Sequence, residues 1–379
     1  MSKSLNSEPP YSRDKSNQYE YDDDEDDDSC GFICFALGVI FLFVGVAILA
    51  TVIVYSQSPE DTSSVFSLTS TREVRPVSAL LMSTIERPYS IKTIDYCINK
   101  SSEVPSPLAL LILVYSKPNG FVRRNAIRET WMKDAHNTLS QNKILVRFTI
   151  PGLDLSSKER KALDDESANH KDMVVLTDSA ITPESELLLF EMVWSTQKYR
   201  YQYLMKTRDN MYIQIDKLNK QVLHELLEKK LNSYLGYFEG NKDPKTNDRL
   251  PEPDWFLCDQ FIRYAHSGGY ILSRVLVDRL LSQAKFLHPY NNEDIALGTW
   301  LSPFKDIDFA HNIDFDTEVG KPRGCNNKLI VFQPADNEEM SVVAKRLEAT
   351  GNCCDSEFYK TRPHSYDFFV LPSKCCTEL

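Results

Sequence analysis

No block of basic residues occurs anywhere in the 379 positions. Without one there is little to hold a phosphate backbone, so nucleic-acid binding is set aside. An internal repeat is also missing, which sets aside solenoids and propellers. Charge of either sign is absent from residues 31–55, which are apolar throughout. As a helix that stretch spans roughly 37 Å, enough to cross a bilayer with some tilt. A cleaved signal peptide would have a shorter apolar core behind a basic leader; this leader is acidic, so a single-pass anchor is expected. Lysine and arginine are missing from its immediate flanks. The nearest are Arg13, Lys15, Arg72 and Arg75, so the positive-inside bias does not set the orientation.

What is present fills in the rest. Charged residues make up 26% and hydrophobic ones 42%, ordinary for a globular protein. The formal net charge is −11, and residues 1–29 carry ten acids against three bases. That run, ending in Asp22 to Asp28, repels itself and is expected to stay a disordered tail over 1–30. Residues 56–94 are rich in Ser and Thr and read as a stem, leaving 95–379 for the compact domain. One sequon, Asn99-Lys100-Ser101, accepts a glycan only if the C-terminal side is luminal. Seven of the nine cysteines follow the anchor, among them the adjacent pairs Cys353-Cys354 and Cys375-Cys376. They are expected to form disulfides in an oxidising compartment, with the odd thiol free or bridging to another chain.

Within 95–379 the pattern is α/β. Residues 108–115 form a continuous apolar run, as in a strand buried on both faces. A helix over 121–132 with Ile127 and Trp131 inward, a strand over 143–150, a helix over 156–168 and a strand over 173–176 follow. A helix from Pro183 to about Tyr199 leads to a strand over 201–207 and a helix over 218–231. Later come a strand over 233–238, a glycine turn into a strand at 266–273, a helix over 274–284, and a short helix capped by Asn292 or Asp294. Ligands of such folds lie outside the strand C-termini.

Four signatures then stand in order. They are Arg124-Asn125-Ala126-Ile127-Arg128-Glu129-Thr130-Trp131; Lys206-Thr207-Arg208-Asp209-Asn210-Met211-Tyr212-Ile213; Ser267-Gly268-Gly269-Tyr270-Ile271-Leu272-Ser273; and Glu293-Asp294-Ile295-Ala296-Leu297-Gly298. Together they resemble the inverting β-1,3-glycosyltransferases, meaning the β-1,3-galactosyl- and N-acetylglucosaminyltransferases. That family's patterns are R-x-x-I-R-x-T-W, K-T-D-D-D-V-F-V, S-G-G-G-Y-V-L-S and E-D-V-x-x-G. The resemblance covers about residues 108–347. It implies a GT-A fold, a UDP-sugar donor, a glycan acceptor, and a Golgi membrane location in the type II orientation. Assembly with itself or with other glycosyltransferases is left open.

The resemblance implies that Asp294 is the base that takes the acceptor proton, with Glu293 beside it; inverting transfer needs only one such carboxylate. Lys206, Arg208, Asp209, Asn210, Gly268, Gly269, Arg124 and Arg128 become donor-binding candidates. For Arg124 and Arg128 the plainer reading is a structural helix with surface arginines. For the glycines it is a tight turn, and for Asp294 a helix cap. The chain departs from the family at the metal turn. The D-x-D that would hold Mn²⁺ has Arg208 and Asn210 at its outer positions, leaving Asp209 the one acid. A downstream histidine position is held by Gln333. His311 could stand in, though a surface or core histidine is the plainer reading. A weak or absent metal follows, with Arg208 neutralising the leaving diphosphate instead. The alternative is a catalytically inactive binding protein or folding partner of an active transferase.

Overall fold

The computed structural model describes residues 93–95, 107–137, 143–152, 155–176, 183–244, 252–253, 255–334 and 337–379. The acidic tail, the anchor at 31–55, all of the stem but its last two residues, Cys97 and the Asn99 sequon lie outside the described residues. Among the described residues no helix is long and apolar enough to cross a membrane.

The first strand, β1 (Thr93–Asp95), is followed by β2 (Leu108–Tyr115), α1 (Phe121–Glu129), α2 (Trp131–Asn137) and β3 (Ile144–Pro151). Then come α3 (Ser157–His170), β4 (Met173–Leu176), α4 (Glu184–Lys198), β5 (Tyr201–Arg208) and β6 (Tyr212–Ile213). A helical stretch runs through Ile215–Lys217, Leu218–Leu223 and His224–Lys229 (α5), its middle wound as a π-helix. The second half holds β7 (Ser233–Glu239), β8 (Tyr264–Ser273), α6 (Arg274–Gln283), α7 (Glu293–Leu301), β9 (Asp308–His311), β10 (Phe315–Asp316), β11 (Gly324–Cys325) and β12 (Val331–Phe332). Last are α8 (Asn337–Thr350), β13 (Phe358–Tyr359), β14 (His364–Tyr366) and β15 (Cys376–Glu378).

One eight-stranded sheet organises these elements, in the order β1-β4-β3-β2-β5-β8-β7-β9. β4, β3, β2 and β5 run parallel, and β8 then reverses against β5. The apolar run of β2 explains its central place. Leu110, Ile112 and Val114 face one core with Trp131 and Phe148, while Leu111 and Leu113 face the other with Leu188 and Leu276. A strand buried on both faces has no polar side to offer water. α3 begins in a capping box, with Ser156 and Glu159 each bonding the other's backbone N–H.

Two expectations need correction. The glycine segment is not a turn: 264–273 is one continuous buried strand, β8. Of the adjacent cysteine pairs, Cys375–Cys376 is joined, but Cys354 bonds Cys325 across 5.7 Å between Cα atoms, leaving Cys353 free.

Candidate active site

The site forms where β5 ends. Antiparallel pairing sets Lys206 opposite Tyr270 and Thr207 opposite Gly269, and Thr207 Oγ1 donates to the Gly268 carbonyl at 2.7 Å. That register brings Ser267 beside Arg208, whose Nε donates to Ser267 Oγ at 3.0 Å. The Arg208 guanidinium also reaches Glu184 at the start of α4, at 3.2 Å. Trp131 fixes the turn from behind: its indole N–H donates to the Met211 carbonyl at 3.2 Å. The tryptophan of the first signature thus clamps the second.

α7 delivers the acid. Asn292, not Asp294, caps it, its Oδ1 accepting from the backbone N–H groups of Asp294 and Ile295. Gly298 lets the helix lie flat on β8, because a Cβ there would come within 2.3 Å of the Arg263 carbonyl oxygen. Asp294 is 5% exposed and its Oδ1 has no hydrogen-bond partner. The nearby Ser267 backbone N–H favours the ionised carboxylate. Burial, and then the neighbouring Glu293 charge, push Asp294 up to about 6, against the pull of Arg208 and His266. It faces a cavity of about 650 Å³ that Arg208, Glu184, Ser267, His266 and Glu239 also line. A desolvated carboxylate with an unpartnered oxygen, on a residue that lines such a cavity, suits a general base.

His266 and Glu239 form the cavity's other charged pair, Nε2 to Oε2 3.3 Å. Burial raises the Glu239 carboxyl, but His266 outweighs it and holds Glu239 near about 2. His266 is raised despite its burial, because Glu239 faces it. Sequence reasoning missed both. The one signal was the position of His266 directly before the glycines. Glu184, in the first turn of α4, also lines the cavity.

Several expected donor residues do other work. Lys206 is 1% exposed, locked between Glu191 at 2.7 Å and Glu293 at 3.2 Å. Burial lowers its pKa, but the two carboxylates outweigh this and keep it an ammonium. Glu293 is therefore turned into the core and does not open on the cavity, so it positions α7 instead of reacting. Gly268 and Gly269 are buried within β8. A Cβ on Gly268 would meet the Thr317 carbonyl oxygen at 2.3 Å, and one on Gly269 would crowd Val331 and Thr317. They are glycines for close packing, not for a ligand.

Arg124 and Arg128 are corrected in the same way, and they are not surface residues either. Arg124 is 0% exposed and grips Glu166 with two parallel bonds of 2.8 and 2.6 Å. Arg128 grips Asp172 likewise, at 2.8 and 2.9 Å, and touches Glu166 at 2.8 Å. Burial pushes the Glu166 carboxyl up, and the two guanidiniums outweigh it and hold it below its usual range. Arg124 also donates to Ser116 Oγ, which in turn donates to Asp209 Oδ2 at 2.7 Å.

That chain matters for the metal. The Asp209 carboxylate is engaged on both oxygens, by Ser116 and by Arg123 at 3.2 Å, and it does not line the cavity. Asn210 Oδ1 is buried without a partner, but one amide oxygen is a poor cage for a dication. Gln333 Oε1 accepts from the Gly320 backbone N–H at 2.7 Å. His311 is spent on the Phe238 N–H and the His364 carbonyl, and burial lowers it to about 4. Among the described residues the one trio of His, Cys, Asp or Glu with converging ligand atoms is Cys325, Cys353 and Cys354, two of which share a disulfide. The residues at the turn do not fit a bound Mn²⁺.

Comparison with known proteins agrees with the signatures. The sequence profile described as Galactosyltransferase matches residues 122–312. The chain is 32% identical to mouse Beta-1,3-galactosyltransferase 6 over 269 residues, 70% of this chain and 82% of that protein. It is 27% identical to the Xenopus laevis UDP-GalNAc:beta-1,3-N-acetylgalactosaminyltransferase 2, over 53% of this chain and 40% of that one. With Arabidopsis thaliana Beta-1,3-galactosyltransferase GALT1 the identity is 25%, over 65% of this chain and 39% of that one. A solved Pyrobaculum calidifontis mannosyltransferase superposes over 53% of this chain and 52% of that chain, at 10% identity and a TM-score of 0.28, too low to carry an argument. The chain belongs to the galactosyltransferase family of β-1,3-glycosyltransferases, and it is a hexosyltransferase.

Proposed function

We propose that the chain transfers galactose or an N-acetylated hexosamine from a UDP-sugar to a glycan hydroxyl with inversion, on a GT-A fold. The observation that carries this is Asp294. It is a buried carboxylate near pH 6 with an unengaged oxygen, in the same cavity as a guanidinium. The acceptor oxygen attacks the anomeric carbon as its proton passes to Asp294. The bond from that carbon to the diphosphate breaks, and the electron pair leaves on UDP. Arg208 supplies the fixed positive charge that meets it, standing where the family has a metal-binding acid. Ser267 steadies Arg208, its hydroxyl accepting from the guanidinium Nε.

An anchored, type II protein of the Golgi membrane with a luminal catalytic domain is the setting we infer. The apolar stretch at 31–55 and the two disulfides support it. An inactive partner protein finds no support among the relatives, which are named for transferase activities. The test is direct: the full-length protein is given UDP-galactose, UDP-GlcNAc or UDP-GalNAc with a panel of saccharide acceptors, with Mn²⁺ or with EDTA. Linked product is expected in both conditions. Absence of product from every pair would overturn the reading.

A further inference from the structure

The catalytic cavity does not end at His266. A second cavity of about 490 Å³ shares Glu239, Lys242, His266, Glu318 and Lys321 with the first. It then extends away from Arg208 toward the C-terminal segment, where Arg323, Lys360, Arg362 and His364 line it. Its size falls within the range of about 300–1,000 Å³ usual for small-ligand sites. Arg208, Glu184, Asn292 and Asp294 line the first cavity alone, so the end that meets the leaving diphosphate is the far end. A ligand that fills the second cavity can extend through the shared residues into the first, where Asp294 and Arg208 both stand.

The charges there are uneven. Lys242, Lys321, Arg323, Lys360 and Arg362 face Glu239, Asp316 and Glu318. Arg323 is bound to Asp316 at 3.0 Å, Lys321 to Glu318 at 3.3 Å and Lys242 to Glu239 at 3.4 Å. Those three pairs leave Lys360 and Arg362 as the cavity's unneutralised charges among the described residues. Both sit on one short segment whose backbone is tied to the floor: the N–H groups of Lys360 and Thr361 donate to the Arg323 carbonyl at 2.7 and 3.2 Å. Next along the chain, His364 is fixed by the Tyr237 hydroxyl and the Phe238 carbonyl at 2.9 and 2.8 Å. The two cations are thus carried on a fastened segment of the second cavity, while their side chains stay exposed to solvent. His266, 4% exposed, stands at the junction and lines both spaces.

We propose that this second cavity is an acceptor subsite for an anionic saccharide, one bearing a sulfate, phosphate or carboxylate that Lys360 and Arg362 bind while a neighbouring hydroxyl reaches Asp294. The proposal rests on the transferase reading and adds to it the charge class of the acceptor.

The experiment uses the full-length protein and four probes: methyl β-galactoside, its 6-sulfate, its 6-phosphate, and methyl β-glucuronide. Binding is measured by calorimetry, and transfer from the UDP-sugar is measured in parallel. The charged probes are expected to bind at least about ten-fold tighter than the neutral one. That margin should shrink as salt is raised. In the Lys360→Ala/Arg362→Ala double variant, with its unfolding temperature retained, the margin should fall below about two-fold, whereas Arg362→Lys alone should keep most of it. Ranking among the three charged probes identifies the anion. Equal binding of neutral and charged probes, or a preference that survives the double substitution, overturns the proposal. Anion-dependent binding without turnover on any acceptor overturns the transferase reading and keeps the anionic site.

Discussion

Two groups of arginines and acids flank the end of β5, and they are built for opposite ends. Under α1, Arg124 and Arg128 meet Glu166 and Asp172 in a sealed cluster where every guanidinium has its carboxylate. In the cavity, Arg208 keeps partners on its flanks only, Ser267 and Glu184, while Asp294 nearby has an oxygen with none. The first group has nothing left to give a ligand. The second is polar, lines a cavity and is incompletely satisfied, the condition under which a charged group can act on a substrate. The pattern of residue types is the same in both, so saturation is what separates scaffold from site.

Asp294→Asn should break the comparison most deeply. Turnover is expected to fall by about 10²–10⁴-fold, as when a general base is removed. The fold should survive and even gain. The Asp294 pKa is raised on folding from 3.8 to about 6. Its ionised form therefore weighs against the folded state fully above about pH 6, and the burden fades as pH falls toward 3.8. The amide removes it, so the unfolding temperature at neutral pH should rise.

Arg124→Ala should do the reverse. It leaves Glu166 buried without its main partner, at a cost of about 3–5 kcal/mol of stability. Denaturant unfolding would show it. An unfolding midpoint equal to that of the parent chain would mean that the sealed cluster is not structural.

Arg208→Ala should reduce turnover by about 10²-fold, the usual loss when a charge facing the transition state is removed. Stability should change little, since its ion pair with Glu184 is partly exposed. If kinetics of Arg208→Ala matched those of the parent chain, the substitution for a metal would be refuted.

The pH profile should sharpen the comparison further. Below about pH 6 Asp294 takes up its proton before the substrate arrives, so kcat/KM should drop about ten-fold per unit of acidification. Above pH 7 it should be flat. A profile insensitive to pH between 5 and 7 would point to another base.

EDTA should produce the smallest effect, less than about two-fold in rate. Arg208, Asn210 and Gln333 offer a dication little, and Asp209 is already held by Ser116 and Arg123. Complete loss of activity in EDTA would contradict this.

Much of the scaffold was legible because it rests on local pattern. The apolar run of β2, the starts of α3 and α4, and the inward Ile127 and Trp131 follow from period and composition. The site was legible only in part. Asp294 and Arg208 came through their place in ordered signatures, whereas His266 and Glu239 did not. Glu239 lies 27 positions before His266 in sequence and meets it only because β7 pairs with β8. The glycines misled for a related reason. Glycine permits both turns and close packing, and only the neighbouring Thr317 carbonyl shows which is at work.

By itself the sequence determined the family, the alternating strand and helix order, and the replacement of the metal-binding acids by Arg208 and Asn210. These depend on residue type and spacing along one chain. Tertiary structure alone decided that Arg124, Lys206 and Glu293 are sealed while Arg208 and Asp294 open on a cavity. It also decided that a second, positively charged space adjoins them. The reason is that a charge's role depends on which partners and how much water surround it, and both are set by segments distant in sequence.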